Sequence, residues 1–411
     1  MRRRLVLLGG VMLLVTAAVA GLWLLRAPAA EAAERGPIVI GALHAQNGPL
    51  AAAEAPLLAA LRLAVDEINR DGGLLGRRVE LQVEDTGGND ASAVAAAARR
   101  LIVEQHAVAL FGCATFTCRQ AARTIVEAQQ HLLFYPLAYE GLERSPHVVY
   151  MGAVPNQRQL PAADWAMSGF GRRVFLLGSD GTYSRRMHAV MREFVPLSGG
   201  RVLGERQLPA GASGMGALVA DLRRLQPDLV LSTLGGESNR ALFDALVTAD
   251  LAELPLLSFA VGEPEFKAYG AGRLGRHFTA ASYLQALPGA ANQAFMAGLR
   301  RYQGSEACEA AVSSHAAVKL WAAAVREVGD AQPAAVGANV LQQSALAPQG
   351  PTALDGQSRH LWHSLRMAQV QPDGRLAEVW HDPRQIRPMP WPVFRTHDQW
   401  RAIVDPQGGL R

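Results

Sequence analysis

Lysine is nearly missing from these 411 residues, standing only at Lys267 and Lys319, and cysteine occurs three times, at Cys113, Cys118 and Cys308. Three cysteines are no disulfide framework for a chain of this size, and no histidine cluster lies around them at metal-ligand spacing. Cys113 and Cys118 can pair in an oxidising compartment; burial as small hydrophobes is the other reading. A surplus of one charge is absent as well. Of the 40 Lys and Arg, Arg2, Arg3, Arg4 and Arg26 flank one N-terminal apolar run, which leaves 36 bases against 36 acids in the body of the chain. Nucleic-acid binding needs excess cations to displace condensed counterions, so that class is excluded. No GxGxxG or GxxxxGK[ST] spacing opens a helix, which removes the common phosphate sites. Gly-x-Ser-x-Gly and His-Glu-x-x-His are missing too, and the 11 histidines are scattered. Glu263 and Glu265 stand close together, but at a helix start, where the helix dipole stabilises negative charge. No nucleophile, base and orienting group can be assembled, so the expectation is no catalytic residue, no metal and no cofactor.

What is present begins with an address. Met1-Arg-Arg-Arg precedes an uncharged apolar run from Leu5 to Leu25, then Arg26 and the small residues Ala27-Pro-Ala-Ala-Glu-Ala-Ala. A basic start, an apolar centre and an A-x-A site make an export signal, with cleavage after Ala29 or Ala32. Twenty-one apolar residues also suffice to cross a bilayer, so an uncleaved anchor competes with cleavage. Both readings place the body of the protein outside the inner membrane, in the periplasm.

From Pro37 onward, short β-branched runs alternate with longer amphipathic ones. Ile38 to His44, Arg78 to Glu84, Ala107 to Phe111 and Leu132 to Tyr135 read as strands. Ala55 to Arg70, Ala91 to Gln105 and Cys118 to Gln129 between them read as helices. The rhythm restarts at Arg173, with strands at 173–178, 201–208, 228–233, 255–259 and 278–283 and helices at 184–195, 216–226 and 238–249. Two long helices follow, about 290–302 and 310–328, and then antiparallel strands at 364–370 and 377–380 around Pro372-Asp-Gly. Strand–helix alternation predicts an α/β protein of two doubly wound parallel-sheet lobes around a central cleft. The expected division is 1–35 as signal or anchor, 36–152 with about 286–345 as one lobe, and 153–285 with about 346–411 as the other.

Open parallel sheets bind ligands beyond the carboxyl ends of their strands, so chemistry is sought in the loops found there. Those loops are Ala45 to Pro49, Cys113 to Cys118, Tyr135 to Gly141, Ser179 to Tyr183, Leu234 to Asn239, Ala260 to Glu263 and Tyr283 to Gln285. They are rich in hydroxyls, amides and tyrosines, which suits a small uncharged polar ligand. Here Phe134-Tyr-Pro-Leu-Ala-Tyr-Glu-Gly-Leu-Glu143, Ala153-Val-Pro-Asn-Gln157 and Gly178-Ser-Asp180 carry a resemblance. Together with Ala347-Pro-Gln-Gly350 and Ile386-Arg-Pro-Met-Pro-Trp391, they make the chain similar to the urea- and short-chain-amide-binding branch of the type 1 periplasmic binding proteins. The likeness runs from about Ile38 to Trp400.

The resemblance implies a ligand amide held between two lobes by hydroxyls and a tyrosine, and it assigns positions. Tyr135 matches the tyrosine of the Tyr-Pro loop. The pocket serine falls at Phe116, with Thr115 and Thr117 beside it. The second-lobe tyrosine falls at Gly181, with Tyr183 matching an aromatic two positions on, and a pocket threonine falls at Leu137. Glu237, Ser238 and Asn239, then Tyr283 and Gln285, look like urea-binder loops, and Glu54 matches an acidic residue of the first loop. Ser and Asn before a helix also serve as caps, so capping of the helix that follows stands as an equal alternative to ligand contact for Glu237, Ser238 and Asn239. Tyr139, Glu140 and Gly141 read as loop architecture. Serine to Phe116 and tyrosine to Gly181 re-shape the pocket, so a small neutral amide-like molecule is expected, with urea one of several. The implied partners are an ABC permease and ATPase. The alternative is a sensing subunit reporting the ligand to a membrane kinase or regulator.

Overall fold

The computed structural model describes residues 36–87, 90–211, 213–302 and 306–404. The signal or anchor expected over 1–35 lies outside the described residues. Along the chain, the first unit comprises β1 (Ile38–His44), α1 (Ala51–Arg70), β2 (Val79–Asp85), α2 (Ala91–Arg99, continued by a π turn over Arg100–Glu104), β3 (Leu110–Gly112), α3 (Phe116–Ala128), β4 (Leu133–Tyr135) and β5 (Val148–Tyr150). The second runs α4 (Gln159–Phe170), β6 (Arg173–Ser179), α5 (Thr182–Leu197), β7 (Arg201–Leu208), α6 (Met215–Leu225), β8 (Leu229–Thr233), α7 (Ser238–Thr248), β9 (Leu256–Ser258), α8 (Glu263–Tyr269) and β10 (His277–Ala281). The chain then re-enters the first lobe with α9 (Ala290–Leu299), α10 (Glu309–Val328), α11 (Pro333–Asn339), β11 (Ser344–Ala347), β12 (Gly350–Asp355) and β13 (His360–Leu361). It finishes in the second with β14 (Arg366–Val370), β15 (Leu376–His381) and α12 (His397–Val404).

Two sheets result, ordered β11-β12-β13-β5-β4-β3-β1-β2 and β15-β14-β10-β9-β8-β6-β7. Each is parallel through its centre, from β2 to β13 in the first and from β7 to β10 in the second, and antiparallel at the far edge. Buried runs such as Ile38, Ile40 and Ala42 pack on α1 and α10 on one face, while Leu43, Leu110 and Leu133 pack on α2 and α3 on the other. The second sheet is sandwiched likewise, with α4 and α5 opposite α6 and α7. Covered faces explain why these strands read as continuous apolar runs. Helix α1 stops at Asp71-Gly-Gly because Gly73 takes φ +82°, where a Cβ would lie 2.1 Å from the Arg77 carbonyl oxygen.

The chain passes between lobes three times, near 151–158, 282–289 and 362–365, which makes a hinge of three strands of backbone. One boundary needs correction. Residues 346–361 pair into the first sheet through β11, β12 and β13, not into the second lobe, because β13 lies parallel to β5 at its edge. Gln157 knots the hinge. Its Nε2 donates to the carbonyls of Leu361 and Ile386, both at 2.9 Å, and its Oε1 accepts from Val154 N at 3.1 Å.

Candidate functional site

Both sheets reverse strand order beside their first strand, between β1 and β3 and between β6 and β8, so the loops after β3 and β6 stand at the switch points. After β3, Cys113 and Cys118 form a disulfide that brackets Thr115, Phe116 and Thr117. Thr115 caps α3, its Oγ1 accepting from Cys118 N at 3.1 Å. That cap fixes where α3 starts and so carries Phe116 and Arg119 to the seam between lobes. After β6, α5 begins at Thr182 and presents Tyr183 and Arg186 from the second lobe.

A charged and aromatic cluster closes this seam. The Arg119 guanidinium lies 4.5 Å from the Tyr139 ring, 4.9 Å from Tyr135 and 5.4 Å from Phe116. It donates to Glu140 Oε1 at 2.7 Å and to Glu143 Oε2 at 3.3 Å. From the opposite lobe, Arg186 Nη1 reaches the same Glu140 Oε1 at 3.3 Å and its guanidinium sits 4.7 Å from the Phe116 ring. Phe116, half-buried, is thus flanked by two guanidinium groups, a favourable use of its π face. Burial opposes charge on Arg119, but Glu140 and Glu143 outweigh it and hold Arg119 well above its usual range. Burial likewise works against the Glu143 carboxylate, yet Arg119 and Arg123 bring it below its usual value. Arg186 is pulled down by its own burial, with Arg119 adding to that and Glu140 opposing. Burial pushes the Tyr135 hydroxyl up to about 12 and raises Tyr183, so both remain neutral donors near pH 7.

Beside this cluster, Gln159 Nε2 donates to Tyr183 Oη at 3.3 Å. Arg158, next in the chain, donates from Nε to the Ala280 carbonyl at 2.7 Å and pairs with Glu309 Oε2 at 3.2 Å. Burial raises Glu309, but the charges of Arg158 and His363 overcome it and leave that carboxyl below its usual range. One residue of the hinge therefore ties both lobes.

The expected positions fall into separate groups. Tyr135 and Phe116 meet Arg119 at the seam, Thr115 and Thr117 flank Phe116 inside the disulfide loop, and Tyr183 stands on α5 beside Gln159. Leu137 is half-buried against the first-lobe core, and Gly181 is the half-exposed residue ahead of α5. Glu237 is exposed and pairs loosely with Arg240 at 3.6 Å. Ser238 accepts from Gly211 N at 2.9 Å, and Asn239 donates to the carbonyls of Leu234 and Gly236, so both shape the loop after β8. Glu54 is buried, and its Oε2 bonds His44 Nδ1 at 2.8 Å and Ala45 N at 3.0 Å, inside the first lobe. Tyr283 donates to Asn292 Oδ1 at 2.8 Å and Gln285 to the Ala307 carbonyl at 3.0 Å. Those two line a small enclosed cavity of about 40 Å³ with Arg158, Thr279 and Glu309. It adjoins an open crevice of about 670 Å³ between Met296 of α9 and the turn joining β14 to β15. That larger space lies away from Phe116, whereas the seam cluster has polar groups from both lobes in direct contact.

Sequence reasoning missed Arg119, Arg158, Gln159, Arg186 and Glu309, and took Glu140 for loop architecture alone. A signal existed for one of them. Arg119 stands on the stripe continued by Ala122 and Val126, the buried face of α3, where a lone charge demands a partner. The Tyr-Glu-Gly and Pro-Asn-Gln motifs do serve architecture in part. Tyr139 bonds His360 Nε2 at 2.6 Å, and Gly141 at φ +66° lets the Pro390 carbonyl approach to where a Cβ would sit 2.3 Å away. Asn156 bridges to the Arg387 carbonyl and Met389 N at 2.8 and 2.7 Å.

Among the described residues no helix is long and apolar enough to cross a membrane. The fold is shared with solved structures. A solute-binding protein of an ABC transporter from R. palustris in complex with benzoate is 19% identical, with a TM-score of 0.76 over 85% of this chain and 98% of its own. An amino acid ABC transporter substrate-binding protein from Pseudomonas fluorescens Pf-5 is 14% identical, with a TM-score of 0.77 over 86% and 97%. A substrate-binding protein of an ABC transporter from Sphaerobacter thermophilus is 21% identical, with a TM-score of 0.73 over 85% and 98%. Residues 38–397 match the periplasmic binding protein domain, and the chain belongs to that family.

Proposed function

We propose that this chain is an exported solute-binding protein that closes its two lobes over a small neutral polar molecule, of urea or short-chain amide type, and delivers it unaltered to an ABC importer in the periplasm. Family membership supports the binding role, and the permease and ATPase are the partners it implies. The benzoate and amino acid binders of the same fold carry charged ligands, so fold alone does not select the ligand. One observation carries the neutral reading: the seam is charge-balanced. Arg119 and Arg186 face Glu140 and Glu143, and Arg158 faces Glu309, so every guanidinium there already has its carboxylate. A carboxylate ligand finds no spare cation and meets buried acids instead, whereas a neutral molecule adds dipoles without upsetting the balance.

A thermal-shift panel of urea, acetamide, formamide, benzoate and isoleucine tests this. Ligand at about a hundred times its dissociation constant stabilises by about 2.7 kcal/mol, enough to move the melting point by a few degrees. The neutral compounds are expected to raise it and the two carboxylates to leave it unchanged. No response to any neutral compound at millimolar concentration defeats the reading.

A further inference from the structure

Three buried polar atoms around the seam have no hydrogen-bond partner: Oε2 of Glu140, Nε of Arg186 and Oε1 of Gln159. The three residues are 0%, 5% and 0% exposed. Buried polar groups in folded proteins are overwhelmingly paired. Of the seventeen unpaired atoms among the described residues these three are linked, Glu140 to Arg186 directly and Gln159 through Tyr183 on the same helix as Arg186. None can simply turn away. Glu140 is held through Oε1 by Arg119 and Arg186, Arg186 through Nη1 by Glu140, and Gln159 through Nε2 by Tyr183. Tyr183 and Arg186 lie three residues apart on α5, on one face of that helix. The set therefore draws on both lobes, Glu140 from the first and Arg186 and Gln159 from the second, with Gln159 opening α4 directly after the hinge crossing.

We propose that Glu140, Gln159 and Arg186 form the recognition set for the polar end of the ligand. Two free acceptors and one free donor complement a group with N–H bonds and one carbonyl oxygen, that is, a primary amide or urea. Its N–H groups donate to Glu140 Oε2 and Gln159 Oε1, and its oxygen accepts from Arg186 Nε, beside the Phe116 ring. Acetate sets oxygens against two acceptors, and N,N-dimethylacetamide has no N–H to give. This inference rests on the neutral-ligand reading above and adds which residues hold the ligand.

Calorimetric titration of the full chain with acetamide, N,N-dimethylacetamide and acetate tests it on the wild type and on Gln159→Leu and Arg186→Lys. Acetamide is expected to bind the wild type at least tenfold more tightly than the other two compounds. Each substitution removes one hydrogen bond to the ligand and is expected to weaken acetamide about tenfold. Ligand-free melting points, taken alongside, separate lost binding from lost folding. If one variant fails to fold, the other and the wild-type comparison still decide. Unchanged acetamide affinity in a folded variant, or dimethylacetamide binding as tightly as acetamide, overturns the inference and leaves the neutral-ligand reading standing. Failure of the wild type to bind acetamide or urea at all defeats both.

Discussion

Two histidines show how completely single side chains are committed inside this protein. His277 is fully buried with Nε2 against Ser258 Oγ at 2.8 Å, and His360 is stacked on Tyr150 at 4.2 Å with its ring nitrogens on the Ser358 carbonyl and Tyr139 Oη. Burial lowers both to about 3, against an ordinary 6.5. In the unfolded chain they take a proton near pH 6.5, and in the folded protein only near 3. The unfolded state therefore binds more protons between these values. Their stabilising contribution is complete above about pH 6.5 and drains away as the pH falls toward 3, by about 1.4 kcal/mol per pH unit for each. The half-buried carboxyls Glu263 and Glu265, which burial holds above their usual range, bend the profile the other way just above pH 4.5. A difference measurement removes them: His277→Gln is expected to show a shallower loss of denaturation free energy between pH 6.5 and 5 than the wild type. Equal slopes would show that His277 does not titrate as argued. Little of this was legible beforehand, because scattered histidines carry no periodic signal and their burial is decided by chain segments far away in sequence. The placement of Tyr135 and Phe116 at strand ends was legible, because the position of those loops follows from local pattern.

Elements were read more securely than residues, and the disulfide loop marks where that reading stops. Strands β1, β6 and β8 and helices α1, α5 and α10 are long enough for their apolar periodicity to stand out. Helix α4 was missed although Leu160, Ala163 and Met167 line its buried face, since Pro161 and small residues blur the pattern. Strands β11 to β13 and helices α11 and α12 were missed because segments of two to eight residues take their structure from what they pair or pack with. The Cys113–Cys118 pairing was open from spacing, and the structure closes it around the loop that presents Phe116. Cys113 takes φ +68°, so this turn costs backbone energy that the bridge and the Thr115 cap offset. Crosslinking so short a loop is worth about 2 kcal/mol by chain entropy. Replacing both cysteines by serine is expected to lower stability by about that amount in denaturant titration. It is also expected to weaken the ligand found in the thermal-shift panel several-fold, because α3 then starts less rigidly and Arg119 with it. A stability loss with no change in affinity would make the bridge structural only.

At the scale of the whole molecule, what matters is how firmly the lobes are joined in the absence of ligand. The three crossings are knotted by Gln157 and Arg158, and the loop 136–147 reaches over to the second lobe, where Leu142 N donates to the Pro390 carbonyl at 2.8 Å. The C-terminal segment is anchored in turn by Trp400, fully buried in the second-lobe core with Nε1 on the Pro392 carbonyl. These ties surround the hinge, whereas the Arg186–Glu140 contact spans the seam itself. The two-lobed architecture followed from the repeated alternation of strand and helix. The contacts across the seam did not, because arginine and glutamate read as solvated in any local window. Removing Arg186 leaves Arg119 facing both Glu140 and Glu143, so the first lobe keeps its own ion pairs while the second loses its hold on Glu140. Arg186→Leu, similar in its buried stem but uncharged, is therefore expected to fold. Its lobes should stand open for a larger fraction of the time, since the closed arrangement has lost a buried charge-assisted hydrogen bond. Small-angle X-ray scattering without ligand should report a larger radius of gyration for the variant than for the wild type. The difference should persist when acetamide is added, because the variant has lost a donor to it. Identical scattering curves for the two proteins would mean that the hinge knots and the Leu142–Pro390 bond alone hold the lobes together, and that the seam cluster serves the ligand without setting the resting state.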